Sequence, residues 1–370
     1  MYSEKRFVDK YANTNNDLEK YIDTTVVEVG KKIVHLKDYM ERKDISKDDI
    51  NIIHESITGH VYLKSYYKKS MNAYGMTIKH DPMPENEYNN NSKVQYKNII
   101  RNMHYEEIME NTTPGTKNSK SFGIMLNDLY KKNIIDYKIL TPSALHYIRK
   151  GRIGSVYSSY YFRSSIMNPF LVYSVNQSLL HGKKIFTPTL GWTSYCYGFM
   201  ECDSVTEYVG TDVIASVCDK TRAFASTHYS KKKCEILDSP SEDLLKNKEF
   251  MSTYDNYFDT VFFSPPYFEL EKYSGENQSI NRYKTYSQWL KGYWKKTVEL
   301  CVRVMTMDAN MCYIIGDYGT PKYNLIQDTL KICEECGLTL VKIQPMFNKG
   351  IYVTNTSNLE QIIHLIKTKS

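Results

Sequence analysis

The chain has 370 residues, a formal net charge of +6, 41% hydrophobic and 24% charged residues, a globular composition long enough for two cores and unlike that of a disordered chain. No stretch approaches 18 apolar residues and no apolar run follows Met1–Arg6, which speaks against a membrane span or a signal peptide and for an intracellular protein, cytoplasmic or nuclear and not secreted. The eight cysteines are scattered, and the one close pair, Cys333 and Cys336, has no second pair at ligand spacing, so reduced thiols and no metal are expected.

Residues 1–155 read as a mostly helical domain. Apolar periodicity predicts helices near 4–12, 17–42, 46–71, 94–111, 121–133 and 142–150, with loops at His80–Asn86 and Tyr88–Ser92. Eight cations lie between Lys117 and Arg152 (Lys117, Lys120, Lys131, Lys132, Lys138, Arg149, Lys150, Arg152) against two anions, Asp128 and Asp136. Eight minus two is six, equal to the net charge of the whole chain. Lys131, Lys132, Arg149, Lys150 and Arg152 are therefore candidate phosphate contacts, with a solvated helical surface as the alternative. The same helices suit a protein partner equally well.

From residue 156 the pattern becomes alternating strands and helices. Lys183–Pro188 is a strand, Thr189–Ser194 a Gly-containing turn and Tyr195–Met200 an apolar helix, an order that brings amides and a helix start to the carboxyl edge of a sheet. Glu207–Val213 is the next strand. Asp212 at its end lies 21 residues after Gly191, the distance at which a carboxylate reaches a ribose diol in doubly wound folds, and it can equally cap the following helix. A third strand, Cys234–Asp238, runs into the polar turn Ser239–Asp243.

Asp259–Phe263 is a β-branched and aromatic strand that Pro265 and Pro266 must stop. Neither proline has an N–H, so the Ser264 and Pro265 carbonyls are hard to satisfy in a ladder. The Ser264 hydroxyl and the Pro265 carbonyl can accept both hydrogens of an exocyclic base amine, drawing its lone pair out of the ring toward an electrophilic methyl. Tyr267 adds a face for the base to stack on. Phe268–Lys284 is too polar for core and is expected to be a mobile lid, with Asn277, Gln278, Arg282 and Lys284 as nucleic-acid contacts. Tyr286, Trp289, Tyr293 and Trp294 recur at helical spacing as a core face. Further elements follow: a helix to Thr306, a strand at Asn310–Gly316, a helix at Tyr323–Cys336, a strand at Leu338–Ile343 and a last strand from Glu360.

Ser264-Pro265-Pro266-Tyr267 resembles the Asp/Asn/Ser-Pro-Pro-Tyr/Phe motif of the amino-methyltransferases that modify adenine N6 or cytosine N4 in DNA. Thr187 to Tyr195 is similar to that family's Asp-Pro-x-x-Gly-Trp-Gly-Gly-Arg motif. Thr187 replaces the acid, Thr193 and Ser194 two glycines, and Tyr195 the arginine. The resemblance covers about half of the chain. It implies a Rossmann-like α/β methyltransferase domain at 156–370 with a seven-stranded sheet whose last strand is antiparallel. It also implies S-adenosylmethionine as cofactor, held by Thr187, Pro188, Gly191, Trp192, Thr193, Asp212, Val213, Ser241 and Phe268, with Arg163 and Asn168 at its methionine end. Ser264, Pro265, Pro266 and Tyr267 would be catalytic, acting on a flipped DNA base, with serine leaning slightly toward cytosine. Only 70 residues separate Ser194 from Ser264, too few for a recognition domain, so recognition must come from elsewhere in the chain or from a second subunit. Three alternatives stay open: an RNA methyltransferase, a protein-amide methyltransferase, and a catalytically weakened subunit that binds nucleic acid or protein.

Overall fold

A computed structural model describes residues 3–12, 16–71, 76–115, 120–273, 275–317, 323–347 and 360–368; Lys117 lies outside them. The chain divides into two compact units. The first comprises Met1–Asn72, Tyr105–Ser165 and Glu271–Tyr273; the second comprises Ala73–His104, Ile166–Leu270 and Ser274–Ser370. The division does not fall at a single boundary near residue 155, because two segments cross over in the chain order.

The first unit is mostly helical, but the helix expected over 17–42 is interrupted. Leu18–Thr24 and Leu36–Lys43 are helices, and between them β1 (Val26–Val29) and β2 (Lys32–His35) form a hairpin. Gly30 takes the positive φ, 65°, that the two-residue turn requires, and the β-branched Val26-Val27 and Ile33-Val34 favour strands. The helix expected over 46–71 breaks at His60, whose φ is 52°, into Lys47–Thr58 and Val61–Met71. β3 (Thr113–Pro114) pairs antiparallel with Glu271–Lys272, and β4 (Ile134–Asp136) runs parallel to β1. Buried aromatic side chains fill the core, with Phe7 packed on Tyr11, Tyr66 and Tyr105.

The second unit carries β5 (Lys184–Thr187), β6 (Glu207–Asp212), β7 (Lys233–Asp238), β8 (Phe258–Phe263), β10 (Met305–Ile315), β11 (Leu338–Pro345) and β12 (Gln361–Lys367); the intervening β9 (Glu271–Lys272) pairs with β3 in the first unit. The seven strands are ordered β7-β6-β5-β8-β10-β12-β11. Neighbours are parallel except β12, which is antiparallel to both β10 and β11. This is the Rossmann-like seven-stranded α/β sheet with an antiparallel last strand. From β5 the chain builds outward through β6 and β7, then returns to place β8 on the other side of β5. The crevice of such a sheet opens at this switch point, at the carboxyl ends of β5 and β8. Register pairs such as Phe186 with Val261 and Thr187 with Gly210 set those ends side by side.

Candidate active site

The turn after β5 has an unusual backbone. Gly191, Trp192 and Thr193 all lie in the left-handed region, at φ 51°, 59° and 71°. The Tyr195 ring fills the space where a Gly191 side chain would begin, since a Cβ there would stand 2.3 Å from Tyr195 Cζ. From that position the Tyr195 hydroxyl accepts the Ser264 N–H at 3.0 Å, so Tyr195 ties the turn to the tetrapeptide. Burial holds the Tyr195 phenol well above its ordinary range, so it stays protonated.

Ser264-Pro265-Pro266-Tyr267 follows β8 directly. The Thr189 hydroxyl donates to the Ser264 carbonyl at 3.5 Å, while no described residue donates to the Pro265 carbonyl or bonds to the Ser264 hydroxyl. The Tyr267 hydroxyl accepts the Gly316 N–H at 2.7 Å, fixing the ring at the end of β10.

Asp212 does not cap the helix Ala215–His228, which has no side-chain cap at its N-terminus, but binds the backbone on either side of the crevice. One oxygen accepts the Val213 and Ile214 amides at 2.8 and 3.1 Å, and the other accepts Leu190 N–H of the turn at 3.2 Å. Burial raises its pKa, opposed by these three amides. A carboxylate offers about four lone-pair sites, so beyond these three amides it can still accept from a ribose hydroxyl. On that chemistry the residues fit the ribose end of S-adenosylmethionine.

Several expected contacts have other partners. Thr187 is fully buried and bonds the Tyr208 hydroxyl at 2.5 Å, and Pro188 is buried beside it. The Ser241 hydroxyl pairs with Thr297 at 3.0 Å in the interior. Asn168 caps the helix Pro169–Val175 through Phe170 N–H, and its amide donates to the Asn90 and Ser92 carbonyls, which uses up its side chain. Arg163 belongs to the first unit, over the Phe122 ring. Phe268 is buried among Tyr286, Trp289 and Tyr323, and the buried Trp289, Tyr293 and Trp294 form the expected core face.

The segment expected to be a lid is largely built into the fold. Glu271 is buried, accepting from Ser164, Ser165 and Tyr273 within the first unit. In the second unit Gln278 is buried ahead of the helix Ser279–Arg282, whereas Asn277 and Lys284 are exposed. Arg282 pairs with Glu242 at 2.8 Å and Asp243 at 2.7 Å, so it anchors this segment and is not poised for a phosphate. Burial raises the Glu242 pKa above its ordinary 4.5 while the Arg282 charge pulls it down. The attraction between Arg282 and Glu242 exists only while the carboxyl is ionised, so it is present at neutral pH and fades as pH falls through the raised pKa. Arg282→Gln is therefore expected to lower the melting temperature more at neutral pH than near about pH 4.5. Thermal melts across that range check it, and an equal loss at both ends would count against the pairing.

The basic segment of the first unit is partly neutralised from outside itself. Arg149 makes a two-pronged pair with the buried Asp49 at 2.6 and 2.7 Å, Lys120 bonds Glu28 and Asp128, and Lys132 pairs with Asp128 at 3.1 Å. Arg149 is therefore a structural ion-pair partner. Lys131, Lys150 and Arg152 are exposed.

No known family's sequence profile matches the chain, and no curated protein matches it. Solved structures similar to it include TrmN from Thermus thermophilus, at 12% identity over 54% of this chain and 49% of that one, TM-score 0.37. The N-methyltransferase NodS from Bradyrhizobium japonicum WM9, in complex with S-adenosyl-l-homocysteine, matches at 8% identity over 54% and 84%, TM-score 0.36. A methyltransferase from Pyrococcus furiosus matches at 14% over 55% and 84%, TM-score 0.37. The chain spans about half the length of TrmN. The fold class stands on the chain's own strand order. Among the described residues no helix is long and apolar enough to cross a membrane, all eight cysteines are free thiols, and no group of three or more His, Cys, Asp or Glu is placed to hold a metal.

Proposed function

We propose that the chain transfers a methyl group from S-adenosylmethionine to the exocyclic amino group of a flipped DNA base, cytosine N4 or adenine N6. The observation that carries this reading is the placement of Ser264-Pro265-Pro266-Tyr267 at the switch point of the sheet, its Ser264 amide held 3.0 Å from the hydroxyl of Tyr195 in the helix that leaves the Gly191 turn. S-adenosylmethionine, when bound, supplies an electrophilic methyl on a sulfonium that departs as a thioether. Asp212 holds the ribose end, and Leu190, bonded to the same carboxylate, keeps the turn in register with it. Tyr267, fixed through Gly316, carries the base on its face. Ser264 Oγ and the Pro265 carbonyl accept the two amino hydrogens, so the nitrogen lone pair points away from the ring for in-line attack. The alkylated nitrogen is acidic enough to give its proton to water, so no strong base is required.

DNA phosphates are met by exposed cations of the first unit, Lys131, Lys150 and Arg152, with Asn277 and Lys284 as candidates in the second. The test is incubation with methyl-labelled cofactor and DNA, RNA or protein, followed by nucleoside and amino-acid mass spectrometry. Label in N4-methylcytosine or N6-methyladenine of DNA is expected; label confined to RNA or protein, or none, would overturn the DNA reading. Replacing Lys131, Lys150 and Arg152 together by alanine should flatten the dependence of log affinity on log salt by up to about 0.9 per lost phosphate contact. Arg149→Ala should instead lower the melting temperature.

A further inference from the structure

The turn departs from its family pattern at two glycines, yet it keeps a backbone that glycine favours. Thr193 stands at φ 71° after Trp192 at 59°, and a β-branched residue is among the least suited to the left-handed region. Something outside the turn must hold it there. Thr193 is fully buried, with its hydroxyl 2.7 Å from His104 Nε2 and 2.6 Å from the Thr221 hydroxyl. The Thr221 hydroxyl lies 2.7 Å from the Val217 carbonyl one helical turn back.

Each hydroxyl has one hydrogen, and this fixes the direction of the chain. Thr221 donates to the Val217 carbonyl, so toward Thr193 it accepts. Thr193 therefore donates to Thr221 and accepts from His104, whose Nε2 must carry a hydrogen. His104 is itself fully buried at the end of the helix Gln95–Met103, with its ring 6.2 Å from that of Trp192. We infer that His104 is a positioning residue for the methyl-donor turn: its Nε2–H holds Thr193 in the backbone conformation that a glycine would take unaided. His104, at the end of the segment 76–104, is thereby part of the cofactor site. This rests on the proposed use of S-adenosylmethionine.

Calorimetric titration of the full chain with S-adenosylhomocysteine tests the inference. His104→Ala is expected to weaken binding by about tenfold, as the loss of one buried hydrogen bond would. His104→Gln, which keeps an N–H donor, should stay within about threefold of the parent. Adding Thr193→Gly to His104→Ala should restore affinity, because glycine adopts the positive φ without the histidine. Should His104→Ala not fold, Thr221→Val removes the far end of the same chain and should weaken binding in the same sense. Equal affinity of His104→Ala and the parent, or failure of Thr193→Gly to rescue, would overturn the inference and leave His104 a packing residue. Absence of binding by the parent chain would overturn the methyl-donor reading itself, and the role of His104 with it. The imidazole nitrogen resonances of the unliganded chain should independently report a protonated Nε2.

Discussion

Tyr267→Ala is expected to lower methyl transfer by about two orders of magnitude while binding of S-adenosylhomocysteine stays within about threefold of the parent. The stacking face alone accounts for about 1–3 kcal/mol per base, and a base that is no longer held flat cannot direct both amino hydrogens to Ser264 and Pro265. Tyr267→Phe separates the two contributions of the side chain. It keeps the face but removes the acceptor of the buried Gly316 N–H, which should cost about 1–3 kcal/mol of stability for an unsatisfied buried donor. Its turnover should fall less than that of Tyr267→Ala. Single-turnover rates, calorimetry and melting curves on the three proteins decide the matter. A fully active Tyr267→Ala, or a Tyr267→Phe slower than it, would remove Tyr267 from its assigned role.

The parts of the fold that were legible in the sequence are those set by local pattern. Strands β5, β6, β7, β8, β10, β11 and β12 appear as short stretches with an apolar centre, and Pro265-Pro266 ends β8 because neither residue can continue a ladder. The hairpin of β1 and β2 is marked by the β-branched pairs Val26-Val27 and Ile33-Val34 about Gly30, but the apolar periodicity of 17–42 as a whole favours a helix there. Ion pairing was not legible. Arg149 and Arg282 look like the exposed Lys150 and Lys284 in sequence, and only the fold brings Asp49 and Glu242 to them from 100 and 40 residues away. Likewise nothing local marks Asn168 as the anchor of Asn90 and Ser92, or places 73–104 with the second unit. His104 meets Thr193 across 89 residues. The one available signal was Thr193 itself, a β-branched residue where the resemblance puts glycine and therefore in need of outside support.

Gly191→Ala is expected to disable one half of the site or the other, cofactor binding or transfer. At φ 51° an alanine bears a left-handed penalty of about 1–2 kcal/mol, and its Cβ would stand 2.3, 2.5 and 2.8 Å from three atoms of the Tyr195 ring. Tyr195 is buried on all sides and lies edge-on to Phe262 at 5.2 Å, so it cannot withdraw without disturbing the sheet; such overpacking adds about 1–3 kcal/mol. Whichever way the strain is released, a part of the site is lost. If the turn moves, Leu190 leaves Asp212 and cofactor affinity falls; if the ring moves, the Ser264 N–H loses its acceptor and turnover falls. Tyr195→Phe isolates the second path, because it keeps the ring and deletes only the hydroxyl. It should retain affinity for S-adenosylhomocysteine within about threefold while slowing transfer by about tenfold, the scale of one lost buried hydrogen bond. Calorimetry and single-turnover rates on the two variants distinguish the paths. If Gly191→Ala bound and turned over like the parent, Tyr195 could not be the rigid link between the turn and the tetrapeptide.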